Sequence, residues 1–83
     1  MNEIFIMGKV VSKKEYKFIV NSKKYFSKVE FEIELNKQRF QIKGYNNIAD
    51  YCYRKLKKND MIFINGKIES GMIIDIKKIT IID

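Results

Sequence analysis

The chain has 83 residues, the size of one small domain, and a formal net charge of +7 from 17 lysines and arginines against 10 aspartates and glutamates. Hydrophobic residues make up 46% of it and alternate regularly, which excludes a disordered polycation. The sequence contains no basic amphipathic helix and no apolar run of about 18 residues, so membrane binding is not expected. The positive charge therefore indicates an acidic soluble partner, with a lysine-rich surface that serves only solubility as the alternative.

No set of residues in the sequence suggests catalysis. Histidine is absent and Cys52 is the only cysteine, so neither a disulfide within the chain nor a zinc site built from paired cysteines can form. No glycine-rich phosphate loop is present either. We expect a protein that is not an enzyme and that holds no metal and no cofactor. A single cysteine and the absence of a secretory signal at the N-terminus predict a cytoplasmic location.

The first predicted strand runs from Glu3 to Ser12. Its inward residues alternate as Ile4, Ile6, Gly8 and Val10, but its other face is apolar as well. A strand that is apolar on both faces lies either between two layers or at a subunit interface. A helix or loop that covers the outer face is the alternative.

Residues 13–28 combine lysines with aromatic rings and predict a hairpin or a long loop with Asn21-Ser22 at its tip. Basic side chains follow phosphates and aromatic faces stack on bases, so this composition is typical of single-strand binding. The alternative is a small satellite core of aromatic rings with the lysines around it. The candidate nucleic-acid contacts in this segment are Lys13, Lys14, Tyr16, Lys17, Lys23, Lys24 and Tyr25.

The next two predicted strands, residues 29–35 and 39–45, form a second hairpin. Lys37 and Gln38 are expected at the centre of its turn. Three cross-strand pairs then follow, namely Leu35 with Phe40, Ile33 with Ile42, and Glu32 with Lys43.

The outward residues of this second hairpin have mixed charge. Three glutamates, at positions 30, 32 and 34, face outward together with Arg39, Lys43 and Tyr45. Because uncompensated carboxylates repel phosphate, we expect the nucleic-acid path to be displaced from this face toward the basic hairpin and toward the edge of the strand at 39–45, where Tyr45 lies.

A helix is predicted to begin after Asn46 or Asn47, with Asn47 taken as its N-cap, and Asn59 is expected as the left-handed residue that ends it. Asp50 in its first turn suits the positive end of the helix dipole. An apolar stripe faces the core and comprises Ile48, Ala49, Cys52, Tyr53 and Leu56. Two strands follow, residues 61–68 and 71–82, and Lys77-Lys78 interrupts the alternation of the second, which predicts a β-bulge.

Several of these segments together resemble the bacterial single-stranded DNA-binding proteins. Residues 40–50 read Phe-x-Ile-x-Gly-Tyr-x-x-Ile-Ala-Asp, and the helix ends in Leu-Lys-Lys-Asn-Asp at 56–60. Ile-Phe-Ile-x-Gly-Lys-Ile follows at 62–68, and Met-Asn-x-Ile-x-Ile-x-Gly-Lys-Val at 1–10 is similar to the opening of that family. The resemblance implies one domain over residues 1–83 with an all-β fold, a five-stranded OB-fold Greek-key barrel with one helix between strands three and four.

The resemblance also implies non-sequence-specific binding of single-stranded DNA in replication, recombination or repair, with RNA as an alternative ligand. Lysine–phosphate contacts and base stacking are then expected from the candidates in residues 13–28 together with Arg39, Lys43, Tyr45 and Lys67. In that family the first strand pairs with its copy across a two-fold axis. This implies a homodimer, or a homotetramer, through Phe5, Met7, Lys9 and Val11.

The sequence departs from the family pattern in three respects. It has no tryptophan, it lacks the long loops between strands two and three and between strands four and five, and it carries no acidic, proline-containing C-terminal tail. The alternative function is an OB-fold interaction module of a primosomal or mobile-element assembly, with weak or no nucleic-acid binding, in which the acidic face of residues 29–35 and the apolar first strand contact the partners.

Overall fold

The computed structural model describes residues 3–82. Met1 and Asn2, which open the N-terminal motif, lie outside the described residues, as does Asp83. The elements in chain order are β1 (Glu3–Val10), β2 (Glu15–Asn21), β3 (Lys24–Leu35), β4 (Gln38–Tyr45), α1 (Asn47–Lys55), β5 (Met61–Ser70) and β6 (Ile73–Ile82). Within residues 3–82, α1 is too short and too polar to cross a membrane.

Five of the strands close into a barrel. They are hydrogen-bonded in the order β1-β5-β6-β4-β3, and a further pairing of β1 with β3 closes the ring. β4 and β6 run parallel, whereas the other pairs are antiparallel. The expected barrel is confirmed, with α1 between its third and fourth strands, β4 and β5. Among the described strands, β2 pairs with β3 alone and extends the sheet beyond the ring.

The barrel core follows from the alternation of the strands, because every second side chain points inward. The predicted inward residues of β1 and β5 are buried or half-buried as expected. The core side chains are Ile6, Val10, Val29, Phe31, Ile33, Ile42, Ile62, Ile64, Ile74 and Ile76, joined by Ala49, Cys52 and Leu56 from the helix region. The predicted helix stripe is confirmed except at Tyr53, whose side chain is exposed.

The register of the β3–β4 hairpin differs from the prediction by two residues. Ile33 lies opposite Phe40 and Glu30 lies opposite Lys43. The turn consists of residues 36–37, which both have positive φ (53° and 66°), as a two-residue hairpin turn requires and as Asn tolerates at its first position. A shift by two residues keeps every side chain on its predicted face, so periodicity alone could not reveal the error.

The ends of the helix also differ from the prediction. The residue before the helix is Asn46, one of the two predicted, rather than Asn47, and with φ 57° its side chain makes no capping hydrogen bond. The helix ends at Lys55, since the next residue is extended. Asn59 is left-handed as predicted (φ 80°), but it lies in the turn that leads to β5 rather than at the helix end. Its backbone N–H donates to Val10, which ties this turn to the end of β1.

Other strand boundaries also differ from the prediction, including the end of β5, which lies at Ser70 rather than Ile68. β1 ends at Val10 rather than Ser12, and the tip of the β2–β3 hairpin is the turn at residues 22–23 rather than 21–22. β6 begins at Ile73 rather than Gly71. The predicted bulge is confirmed, because the β5–β6 register passes from Asn65 opposite Lys78 to Gly66 opposite Ile76 and leaves Lys77 unpaired.

Candidate nucleic-acid interface

The outer face of β2, β3 and β4 is divided into two regions of different chemistry. Residues that lie opposite each other on neighbouring strands share a face of the sheet. Toward the tip of the β2–β3 hairpin these rows are basic and apolar, and we call this region the outer hairpin surface. It comprises Lys17, Ile19, Lys24, Phe26, Lys28 and Tyr45. The rows toward the β3–β4 turn contain Glu15, Glu30, Glu32 and Glu34 together with Lys43, Gln41 and Arg39.

Two aromatic rings form the apolar centre of the outer hairpin surface. The rings of Phe26 and Tyr45 lie 6.2 Å apart at an interplanar angle of 54°, an ordinary geometry for an aromatic pair. Both side chains are half-buried, so part of each ring faces solvent. Lys28 lies directly opposite Tyr45 and next to Phe26 on the same face. The surface therefore combines ring faces with ammonium groups, as single-strand binding requires.

The carboxylate nearest to this surface is compensated by its neighbours. The Lys28 ammonium lies 3.2 Å from a carboxylate oxygen of Glu30, and Gln41 Nε2 donates to the other oxygen at 2.8 Å. Partial burial acts to raise the pKa of Glu30, but the hydrogen bond and charge of Lys28 outweigh it, so the pKa lies below its ordinary value. The Lys43 ammonium lies 3.8 Å from a carboxylate oxygen of Glu69, which partly neutralises the charge of Lys43.

A second aromatic pair lies on the opposite face of the same hairpin. The rings of Phe18 and Tyr25 are 5.6 Å apart, and their side chains are 59% and 72% exposed. Val20, which lies opposite Tyr25, is exposed beside them. This face looks toward α1 rather than toward the outer hairpin surface, because Tyr16 on the same side of β2 contacts the helix. The hairpin thus presents rings on both of its faces.

Two of the predicted contact residues have structural partners instead. Tyr16 donates a hydrogen bond of 2.7 Å to Oδ1 of Asp50, and its ring lies 4.5 Å from that of Tyr53. Lys14 Nζ donates to the carbonyl oxygens of Tyr53 and Leu56, both at 2.6 Å, and to that of Cys52 at 3.1 Å. A cation at the carbonyl end of a helix is electrostatically favourable. Lys14 and Tyr16 therefore attach the hairpin to the helix, and part of the satellite-core alternative is realised at Tyr16.

The other predicted contacts are spread over the surface. Lys17, Lys24 and Tyr45 belong to the outer hairpin surface, whereas Tyr25 lies on the other face. Lys23 is in the turn at the hairpin tip, and Lys13 is exposed in the β1–β2 connection. Arg39 lies opposite Glu34, in the row nearest the β3–β4 turn. Lys43 and Lys67 both lie opposite Asp75 and so belong to one row across β4, β6 and β5.

Phe26 and Lys28 are absent from the predicted contact set, although both are in the predicted hairpin segment. The signal that could have identified them is the pairing of β3 with β4, which brings them beside Tyr45. That pairing depends on the turn at residues 36–37, where the predicted register is wrong. With the observed turn, Lys28 lies opposite Tyr45 and Phe26 lies beside both.

The outer face of β1 and β5 is apolar and open to solvent. Phe5 and Met7 are 62% and 46% exposed, and the ring of Phe63 lies 6.3 Å from that of Phe5. Met61 and Ile82 extend the same face, which we call the apolar sheet face (Phe5, Met7, Met61, Phe63 and Ile82). Of the four predicted interface residues, Phe5 and Met7 lie within it. Lys9 lies at its edge opposite Met61, and Val11 is half-buried beyond the end of β1.

Comparison with solved structures supports the assignment of the fold. The SSB domain of a Synechococcus sp. protein superposes with a TM-score of 0.83 at 13% identity, covering 95% of this chain and 93% of that one. The second OB-fold domain of replication protein A from Methanococcus maripaludis superposes with a TM-score of 0.80 at 19% identity, covering 95% of this chain and 82% of that one. A small single-stranded DNA-binding protein from Streptomyces coelicolor superposes with a TM-score of 0.63 at 17% identity, covering 98% of this chain and 94% of that one. Neither a protein-family model nor a curated protein matches the sequence. The protein has the OB-fold.

Proposed function

We propose that the protein binds single-stranded DNA without sequence preference, through the outer hairpin surface, and serves replication, recombination or repair. The observation that carries this proposal is the Phe26–Tyr45 pair, which lies among Lys17, Lys24 and Lys28 on the outer face of an OB-fold barrel. Every base has a face that can stack on a ring, so aromatic contacts give affinity without reading sequence. The similar solved structures include proteins whose names state single-stranded DNA binding, which supports the same function here.

The charges of the outer face support a path along the hairpin rather than across the whole sheet. Toward the hairpin tip the rows carry cations and rings, whereas the rows below Glu30 carry Glu32, which lies opposite Gln41, and Glu34, which lies opposite Arg39. A polynucleotide that crosses the basic rows avoids the like-charge repulsion of the lower ones. Lys14 and Tyr16 are left out of the proposed contacts because their polar groups already have partners in the helix.

Titration of a fluorescent oligo-dT by anisotropy tests this proposal. Loss of one stacked base costs about 1–3 kcal/mol, so the Phe26→Ala/Tyr45→Ala variant should bind about 5- to 150-fold more weakly. Lys24→Ala should also weaken binding, whereas Lys37→Ala, in the β3–β4 turn at the far end of the hairpin, serves as the charge-matched control. Equal affinity for wild type and the double ring variant, with both folded by circular dichroism, would overturn the proposal.

Competition with oligo-rU and with a duplex separates the ligand classes. DNA-preferring binding should resist oligo-rU, which carries a 2′-hydroxyl and lacks the thymine methyl group of oligo-dT. A duplex hides its bases from stacking, so it should compete poorly. Complete displacement by oligo-rU at equal concentration would move the proposal from DNA to RNA.

We further propose that the protein is a homodimer through the apolar sheet face. The two rings and three aliphatic side chains of that face are adjacent and exposed, and monomeric proteins rarely leave such a patch uncovered. The same face also favours the second candidate function, an assembly module whose partner covers it. A defined multimer with no affinity for any oligonucleotide would select that second function.

A further inference from the structure

A basic cleft lies on the helix side of the molecule, away from the outer hairpin surface. It is formed where the β1–β2 connection approaches the end of α1, and its volume is about 400 Å³. Its lining residues are Val10, Ser12, Lys13, Lys14, Leu56, Lys57 and Lys58. Four of the seven are lysines and none is acidic, which contrasts with the mixed charge of the β3–β4 rows.

Three of these lysines are available to a ligand. Lys13, Lys57 and Lys58 are exposed, whereas Lys14 donates to the helix carbonyls. The carboxylate of Asp60, in the adjacent turn, accepts from the backbone N–H of Lys57 at 2.8 Å and so holds the turn that presents the two neighbouring lysines. A concave group of ammonium ions attracts phosphate, and no carboxylate is among the residues that line this cleft.

Aromatic side chains continue from this cleft along the helix side of the hairpin. The Lys14 ammonium lies 5.6 Å from the centre of the Tyr53 ring, which is 56% exposed. Tyr16 stacks on Tyr53, and the exposed Phe18–Tyr25 pair follows two residues further along β2. The order along this side is therefore lysines, then the Tyr53 and Tyr16 rings, and then the Phe18 and Tyr25 rings.

We propose that this helix-side cleft is a second phosphate-binding site for a single-stranded polynucleotide. A strand held at the outer hairpin surface passes around the free edge of β2, stacks bases on Phe18 and Tyr25, and places its backbone against Lys13, Lys57 and Lys58. This inference rests on the proposed function and extends it. Long strands then use both faces of the hairpin, whereas short ones occupy only the outer face.

The test compares oligo-dT of about 6 and about 20 nucleotides, since OB-folds occupy about 4–16 nucleotides. The variant is Lys57→Ala/Lys58→Ala, and the control is Lys77→Ala/Lys78→Ala, which removes the same charge from exposed positions on β6. The loss of two phosphate contacts should reduce the log–log salt slope for the long oligonucleotide by about 1.4, from about 0.7 per contact. The long oligonucleotide should bind several-fold more weakly to the variant, and the short one should bind as it does to wild type. Phe18→Ala should show the same dependence on length.

The outcomes separate this inference from the function on which it rests. If the short oligonucleotide binds and the long one is no more sensitive to the cleft variant than to the β6 control, the cleft is not a phosphate site, while the outer hairpin surface stands. Equal losses of affinity for the short and the long oligonucleotide also overturn the cleft as a phosphate site, because such losses reflect the reduced net charge of the protein alone. If neither oligonucleotide binds wild type, both proposals fail together.

Discussion

The hydroxyl of Tyr16 donates a hydrogen bond of 2.7 Å to Oδ1 of Asp50. Ser27 Oγ donates to the same oxygen at 2.8 Å, so one helix carboxylate holds both strands of the β2–β3 hairpin. Lys14 attaches the start of the hairpin to the other end of the helix. Because the hairpin carries both aromatic pairs, these three contacts set the position of the surfaces proposed to bind polynucleotide.

Removal of the tyrosine hydroxyl should loosen the hairpin. Tyr16→Phe keeps the ring on Tyr53 but deletes the hydrogen bond to Asp50, so the urea midpoint should fall and amide hydrogens of β2 should exchange faster than in wild type. Tyr25→Phe is the control, since that ring is exposed and its loss of a hydroxyl should change neither measurement. Unchanged exchange in β2 of Tyr16→Phe would show that the hydrogen bond does not hold the hairpin.

The same carboxylate predicts a dependence of stability on pH. Hydrogen bonds from Tyr16 and Ser27 hold the pKa of Asp50 below its ordinary value of 3.8. The unfolded chain therefore binds the proton more readily, so the stabilisation is fully present above the ordinary pKa and is lost as pH falls through the folded pKa. The hydrogen bond to Asp50 conversely raises the pKa of Tyr16 above its ordinary value of 10.0. The contribution of the Tyr16 hydroxyl to stability is therefore fully present below pH 10 and is lost as pH rises through the folded pKa.

Urea unfolding between pH 2 and 7 measures this effect. Asp50→Asn should be less stable than wild type at neutral pH, and the difference should shrink in acid because wild type loses its advantage there. Tyr16→Phe should give an intermediate result, since Ser27 still donates to the carboxylate. A difference between Asp50→Asn and wild type that is constant over the whole range would contradict the assigned pKa direction.

The alternation of apolar residues was sufficient to predict the inward face of each barrel strand, whereas the barrel itself was implied only by the resemblance to the bacterial single-stranded DNA-binding proteins. The alternation was not sufficient for register, because a shift by two residues leaves faces unchanged, and only the backbone at Asn36 and Lys37 decides it. The site was predicted less well for the same reason. The partners of Tyr16 and Lys14 lie 34 or more residues away, so composition could not distinguish a free cation or ring from one bound to the helix.

Gly66 should tolerate no side chain. A Cβ at this position would lie 2.6 Å from the carbonyl oxygen of Asp75 and 2.9 Å from the Cα of Ile76, and backbone atoms at a β-bulge cannot move away easily. Gly66→Ala should lower the free energy of unfolding by about 1–3 kcal/mol or more, as overpacking does. Gly71→Asn is the control, because that position has φ 55° and open space around it, which asparagine tolerates. Urea unfolding checks both, and equal stability of Gly66→Ala and wild type would contradict the close approach.

Sedimentation equilibrium tests the proposed homodimer. Phe63→Lys introduces a charge into the apolar sheet face beside Phe5, and a two-fold interface contains every substituted residue twice. Truncation of a central interface residue costs about 2 kcal/mol or more of binding free energy. The dissociation constant of the dimer should therefore rise by more than about tenfold. Phe18→Lys makes the same chemical change at a ring that is also exposed, on the hairpin, and should leave the association unchanged. If the wild-type chain sediments as a monomer at every concentration, the homodimer proposal is wrong and the apolar sheet face is left to a different partner. If Phe63→Lys and Phe18→Lys weaken the association equally, the interface is not specific to the apolar sheet face.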